Sequence, residues 1–534
     1  MPIITNLFLT QTTNRFILLW IDKKSINNVI SLLMKKIKKT INEIQNLLSD
    51  KSNQKFLFAV IILFIAYLTY FMGYYNPPYI FWDENYHIAS AEKYIENVAY
   101  MEPHPPLGKM LIALGDKVIG VNSKLNKTGF TETDYVNTLP GNYSFAGVRL
   151  FPVLAALFSG LIFFLILCLL TGNNLISMLL SSFYLFDNAI IVHSRGAMLD
   201  SIQIFFILCT IFVFLKAYKK GNSVNSFYYS LMGLFTGLAC MVKVNSAIVL
   251  LLYPMLFIGT NFKQISSFKI NFAIIIDLLK KIAFSVVPML LISAVIWQIH
   301  FGLGTKMPVN QNYFISERYA EIIAEKQTWN PLNFPIMLSD NLMYMENYQK
   351  GVPKLDLNKE GENGSRPITW PFGNKSINYR WNRNGAVTQY LYLQGNPLIW
   401  GFAILSIFIS IPVMFFIRRD KNPKIREKGA FILFFLIIYT FYMIAMIRIE
   451  RVMYLYHYFI PLIITFFIFA LNFSYIFRKE IESKSPLFLF TVSLFVLLII
   501  SVFLFYSPFT YYLPINRTDF IKRIWFEFWG LQYV

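Results

Sequence analysis

About eleven apolar runs of membrane-crossing length dominate this chain of 534 residues. They lie near 56–75, 146–170, 175–193, 197–215, 226–242, 244–261, 282–301, 397–417, 429–447, 453–476 and 486–506. A helix needs ~20 mostly apolar residues to cross a hydrocarbon layer ~30 Å thick. In lipid, each segment must satisfy its own backbone polar groups. Such a chain is therefore expected to be an all-α polytopic membrane protein. Hydrophobic residues make up 56% of the sequence and charged residues 14%. That balance excludes a water-soluble enzyme, a disordered chain and a disulfide scaffold. Cys168, Cys209 and Cys240 each lie inside an apolar run. They read as small core hydrophobes without metal or disulfide spacing.

The formal net charge is +19. No nucleic-acid-reading motif accompanies it, so the basic residues are read as topology signals rather than as a nucleic-acid surface. A basic leader, 1–55, carries Leu32, Leu33, Ile37, Ile41 and Ile44 at helical spacing. It is expected to lie on an anionic inner leaflet and to be no signal peptide. Loops 216–225, 262–281, 418–428 and 477–485 hold most of the loop Lys and Arg, and with eleven spans all fall on the leader's side. By the positive-inside rule that side is cytoplasmic. The spanning domain, 56–506, then presents its first loop (76–145), its large loop (302–396) and the tail 507–534 outside.

The first loop opens with Phe81-Trp82-Asp83-Glu84-Asn85-Tyr86-His87. A partly desolvated carboxylate there suits a general base, and Asp83 and His87 share a helix face at i,i+4. The competing reading is an acidic pair that merely caps the following helix. Next comes His104-Pro105-Pro106-Leu107-Gly108-Lys109. Its prolines fix the backbone, Gly108 allows close approach, and His104 and Lys109 are aimed from fixed points. A cation there suits a lipid phosphate, although an ordinary loop with a surface lysine would read the same.

Ionisable groups at membrane depth mark functional sites or internal pairs. Arg149, Asp187, Arg195, Asp200 and Lys243 are expected at one depth on the outer face. Arg149 and Lys243, lacking an obvious local partner, suit phosphate, whereas Arg195 has Asp200 or Asp187 as a candidate partner. His193 and His300 are read as structural. No cluster has persuasive metal-ligand spacing, and no Gly-rich nucleotide loop is present.

In combination these pieces resemble the protein O-mannosyltransferase family, whose members have the GT-C fold. The resemblance rests on the Asp83-Glu84 pair followed by HPPLGK, then on Arg149 in GVRLFPVLAALFSG and Asp187-Asn188 with SRGAMLDS. It continues through Lys243 in GLACMVKVNSAIV, Trp370-Pro371, Gly395-Asn396-Pro397, and RVMYLYHYFIP from Arg451 to Pro461. It covers roughly 56–475. Members often carry Asp shortly before HPPLGK, where this chain has Glu102. The large loop also looks too short for the β-trefoil of eukaryotic members, so the chain resembles the compact bacterial form.

The resemblance implies a polyprenyl-phosphate-mannose donor and Ser/Thr acceptors on exported polypeptides that secretion machinery delivers, with no cofactor. It implies that Asp83 is the base, with Glu84 and His104 orienting it or the sugar hydroxyls. Lys109, Arg149, Asp187, Asn188, Arg195, Asp200, Lys243, Tyr456 and His457 would serve the donor's phosphate and sugar. A single displacement would invert the anomeric centre, on the outer side of the cell membrane. The alternatives are an aminoarabinose-type transferase acting on a lipid, and a transporter. Transporters tend to show repeated halves and broken helices, whereas this chain has an asymmetric pair of long external loops.

Overall fold

The computed structural model describes residues 35–36, 50–221, 225–261, 272–308, 313 and 315–534. The chain divides into two compact units, Met1–Val60 and Ile61–Val534. The leader positions Leu32, Leu33, Ile37, Ile41 and Ile44 lie outside the described residues.

Among the described residues eight helices are long and apolar enough to cross a membrane. They are Lys51–Phe71, Leu150–Thr171, Asp200–Lys220, Phe272–Leu303, Pro397–Arg419, Pro423–Ile447, Leu455–Ile476 and Pro486–Thr510. Three begin with proline behind a capping side chain: Asn396, Asn422 and Ser485 each accept a hydrogen bond from a first-turn amide. Proline in the first helical turn lacks only an N–H that would have no helical partner there.

The third, fifth and sixth expected spans differ from straight crossings. Residues 175–193 form the pair Asn174–Leu185 and Asn188–Ser194, bent by 64°. Asp187 restarts the helix there by accepting from the Ile190 amide. Ser226–Cys240 is a short helix, and after the extended backbone of Lys243 the chain continues as a 3-10 stretch, Val244–Leu251, and the helix Leu252–Thr260.

The first loop folds into helices Glu84–Glu96 and Leu107–Ile119. They join the upper parts of the spans in one core that includes Ile88, Ile112, Leu199, Val242 and Trp297. Gly108 makes this packing close. A Cβ there would sit 2.7 Å from Leu199 and 3.2 Å from Val242. The large loop contributes helices Glu317–Ala324 and Phe334–Gly351, and the hairpin β1 (Ile377–Asn384) and β2 (Val387–Leu393).

To the helical fold the structure thus adds one small antiparallel sheet. Its third strand, β3 (Pro514–Asn516), comes from the tail. Tyr390 and Tyr392 of β2 pack on Tyr506 and Phe509 at the end of the last span. The Arg380 guanidinium of β1 donates to the Ile80 carbonyl, and the Tyr313 hydroxyl donates to Asp134. First loop, large loop and tail therefore gather at one end of the bundle.

Candidate active site

Asp83 sits at the N-cap position of helix Glu84–Glu96, but its side chain makes no capping bond. Trp82, just before it, has φ 51°, a left-handed backbone that is costly for a bulky residue. Its ring is held by stacking on Tyr379 at 5.2 Å and by the edge of Tyr454 at 5.2 Å. The chain turns there, and Asp83 Oδ2 accepts a hydrogen bond of 3.1 Å from the Tyr456 hydroxyl. Burial pushes the Asp83 carboxyl above its usual range, against the pull of Lys243, His193 and the Tyr456 hydrogen bond. The helix-capping reading of Asp83 is thereby set aside.

Behind Tyr456 lies a second charged layer. Lys243 Nζ donates to both oxygens of Asp200 at 2.8 Å. His193 Nε2 meets Asp200 at 2.9 Å, and its Nδ1 lies 2.6 Å from the Tyr379 hydroxyl. The imidazole stacks on Tyr456 at 4.8 Å, while Lys243 Nζ lies 5.4 Å from the same ring. His193, read from sequence as structural, is thus part of this cluster. Tyr379 went unrecognised because its motif-free strand meets His193 only across 186 residues of chain.

Lys243 also lines a cleft of ≈ 590 Å³, with His104, Asn245, Arg451 and His457. Helix Phe334–Gly351 closes one wall with Met345 and Gln349. Asp83 stands one side chain away, linked to Lys243 through Tyr456. Arg451 is half-buried and makes no side-chain hydrogen bond or ion pair among the described residues. It opens the motif RVMYLYHYFIP, in which the sequence points to Tyr456 and His457 rather than to this arginine. Burial, then Lys243 and Lys109, push His104 well below its ordinary value, so the imidazole is neutral at pH 7. His87 shifts the same way, from burial and Lys109, and its Nδ1 lies 2.7 Å from the Ala197 carbonyl oxygen. His457 stacks on Trp370 at 6.1 Å.

Several expected site residues are committed elsewhere. Arg149 was expected to meet a phosphate, yet it is fully buried. It donates to both oxygens of Glu84 at 2.7 and 2.8 Å, and to the carbonyls of Tyr75, Pro77 and Tyr79. These bonds use all five guanidinium N–H groups, so none is left for a phosphate. Glu84, expected at the reacting atoms, is fully buried too and also accepts from the Phe81 and Ala197 amides. The pair braces the turn that carries Asp83.

Arg195 pairs with neither Asp187 nor Asp200. It donates to the carbonyls of Tyr70, Met72 and Gly73 and lies over the Tyr511 ring. Asp187 accepts from the Asn396 amide and from Trp400 Nε1, besides capping its own helix. Asn188 donates to Phe503 and Thr510. Lys109 is buried in an ion pair with Glu102, the acid that stands before HPPLGK here. Except for the Lys109–Glu102 pair, each of these departures involves a partner far away in sequence or a backbone carbonyl. Among the described residues no group of three or more His, Cys, Asp or Glu is placed to hold a metal ion.

Comparison with known proteins agrees with this architecture. The family model described as dolichyl-phosphate-mannose-protein mannosyltransferase matches residues 60–303. The model of the C-terminal four TMM region of protein-O-mannosyltransferase matches 343–529. Protein O-mannosyl-transferase 1 of Danio rerio is 27% identical over 184 residues, 34% of this chain and 24% of that protein. Dolichyl-phosphate-mannose--protein mannosyltransferase 6 of Saccharomyces cerevisiae is 31% identical over 171 residues, 31% of this chain and 22% of that protein. The alignments thus span about a quarter of these relatives' length. The structure of the S. cerevisiae protein O-mannosyltransferase Pmt1-Pmt2 complex bound to the sugar donor superposes with a TM-score of 0.73 at 15% identity. The match covers 92% of this chain and 94% of that one. With both halves matched by models of one family and the whole bundle sharing its fold, the chain belongs to the protein O-mannosyltransferases, with the GT-C architecture.

Proposed function

We propose that this protein transfers mannose from a polyprenyl-phosphate-mannose donor to Ser or Thr hydroxyls of exported polypeptides. The observation that carries the reading is Asp83, a carboxylate released from capping and joined through Tyr456 to a cation-lined cleft. The acceptor oxygen attacks the anomeric carbon as the bond from that carbon to the phosphate oxygen breaks. Asp83 takes the hydroxyl proton, and the lipid phosphate leaves with the bonding electron pair. A single displacement inverts the anomeric centre. Lys243 and Arg451 stabilise the charge growing on the phosphate, a preorganised role that needs no rearrangement during the step. His104, neutral at pH 7, and His457 face the sugar. Asp200 and His193 fix Lys243 and Tyr456.

The site faces the outside of the cell membrane in this reading. Support comes from the basic loops, which the positive-inside rule places in the cytoplasm, and from the gathering of first loop, large loop and tail at the other end. A lipid-borne sugar then arrives at headgroup level, and secretion machinery supplies the unfolded acceptor. The test is transfer from polyprenyl-phosphate-mannose to a Ser/Thr peptide by the full chain in membranes. Wild type is expected to make mannosyl peptide, and Asp83→Asn to lose roughly 10²–10⁴-fold in rate, the usual contribution of a positioned base. Undiminished transfer by Asp83→Asn removes the base assignment.

A further inference from the structure

A second cleft, of ≈ 440 Å³, opens between helices Ser226–Cys240, Leu252–Thr260 and Phe272–Leu303. Its cause is legible in the packing. Gly233 and Gly237 bring the first and last of these helices backbone to backbone. A Cβ on Gly233 would sit 2.1 Å from the Ser285 carbonyl oxygen, and one on Gly237 3.0 Å from that of Met289. Contact that close on one flank leaves a wedge beside it, walled by Tyr253, Phe257, Ile282 and Val286. The wedge is apolar except at one end. There Lys281 Nζ lies 5.6 Å from the Tyr229 ring and 5.5 Å from the Phe257 ring, and pairs with Asp277 at 2.6 Å. Tyr229 is 2% exposed and lines the cleft, and among the described residues its hydroxyl oxygen has no partner at hydrogen-bond geometry.

The depth of this polar end follows from helix geometry. His300 lies near the other end of the same helix, where its Nδ1 is 2.7 Å from the Tyr94 hydroxyl of the catalytic loop. At 1.5 Å per residue, Lys281 is about 28 Å further along. That is close to the ~30 Å of a bilayer's hydrocarbon core. Lys281 therefore reaches headgroup level in the leaflet opposite the catalytic loop. An apolar slot ending in an ammonium and a phenol at that level matches one molecule class: an acyl chain with a phosphate at its head. Charge complementarity favours an anionic lipid, since Lys280 adds a second ammonium next to Lys281 on the last of these helices.

We propose that this cleft binds one anionic phospholipid from the leaflet opposite the active site. The chain lies along Phe257 and Val286, and the phosphate accepts from Lys281 and Tyr229. The inference does not depend on the transferase reading. The test is native mass spectrometry of the full-length protein, titrated in detergent with phosphatidylglycerol or with phosphatidylcholine. Wild type is expected to retain one phosphatidylglycerol at concentrations at least fivefold below those needed for phosphatidylcholine. Lys281→Gln with Tyr229→Phe removes that preference while leaving the slot open. Val286→Trp fills the slot and abolishes retention of both.

Size-exclusion profiles and thermal unfolding verify that each variant is folded. Should Val286→Trp not fold, the polar double variant decides alone. Equal retention of the two lipids by wild type overturns the proposal. So does an unchanged preference in the double variant, or displacement of phosphatidylglycerol by polyprenyl phosphate, which would make the slot a seat for the donor's tail.

Discussion

Asp83 stands where an aspartate ordinarily closes the start of a helix, and its carboxylate is instead spent on Tyr456. A base works only when ionised. Burial raises the Asp83 pKa, so transfer should fall, as pH drops, at a pH above the ~3.9 of an unperturbed aspartate. The Tyr456 hydrogen bond favours the ionised form. Tyr456→Phe should therefore move this acidic limb to higher pH, and a limb that stays or moves down in a pH–rate profile contradicts the assignment. The two arginines should separate cleanly. Arg451→Ala removes from the cleft a cation with no ion pair among the described residues and should weaken donor binding roughly 10–100-fold, as for a charged hydrogen bond worth ~1.5–3 kcal/mol. Arg149→Ala leaves Glu84 buried and unpaired, which costs about 3–5 kcal/mol for a broken buried pair. Thermal unfolding in detergent should register that loss, with the protein's fold rather than its donor affinity as the first casualty.

Helices meet in this bundle through surfaces that a single methyl group can spoil. Gly233→Val places carbon against the Ser285 carbonyl and should force the helix pair apart, seen as a fall of several degrees in the unfolding midpoint. The elements were largely legible in the sequence because apolar runs of ~20 residues have few other uses. The bent and shortened ones were not, because their causes are polar and local: the Asp187 cap, and the extended backbone at Lys243. The site was legible in the same uneven way. Asp83, Lys243 and Tyr456 announce themselves by position in motifs. Arg149 and Arg195 do not show that their partners are carbonyls of the turn after the first span, since backbone acceptors leave no mark in a sequence. His193 and Tyr379 become neighbours only when a hairpin from the large loop folds back.

The molecule as a whole is polarised. First loop, large loop and tail share one end, and the basic connections are expected at the other. Single cysteines placed at Glu132, Gly385 and Arg517 of a cysteine-free chain should react with an impermeant maleimide in intact cells. A cysteine at Lys421 should react only after the membrane is opened. Labelling of Lys421 in intact cells, with Glu132 reached only after the membrane is opened, would invert the arrangement and move the chemistry to the cytoplasm.

The short strand Pro514–Asn516 has a consequence in time. It completes the sheet whose first strand brings Tyr379 to His193. Those three residues leave the ribosome after every described span. A nascent chain stalled before them holds the eight described spans but an unfinished sheet, so the seat of Tyr379 against His193 is completed only after the last of those spans has been made.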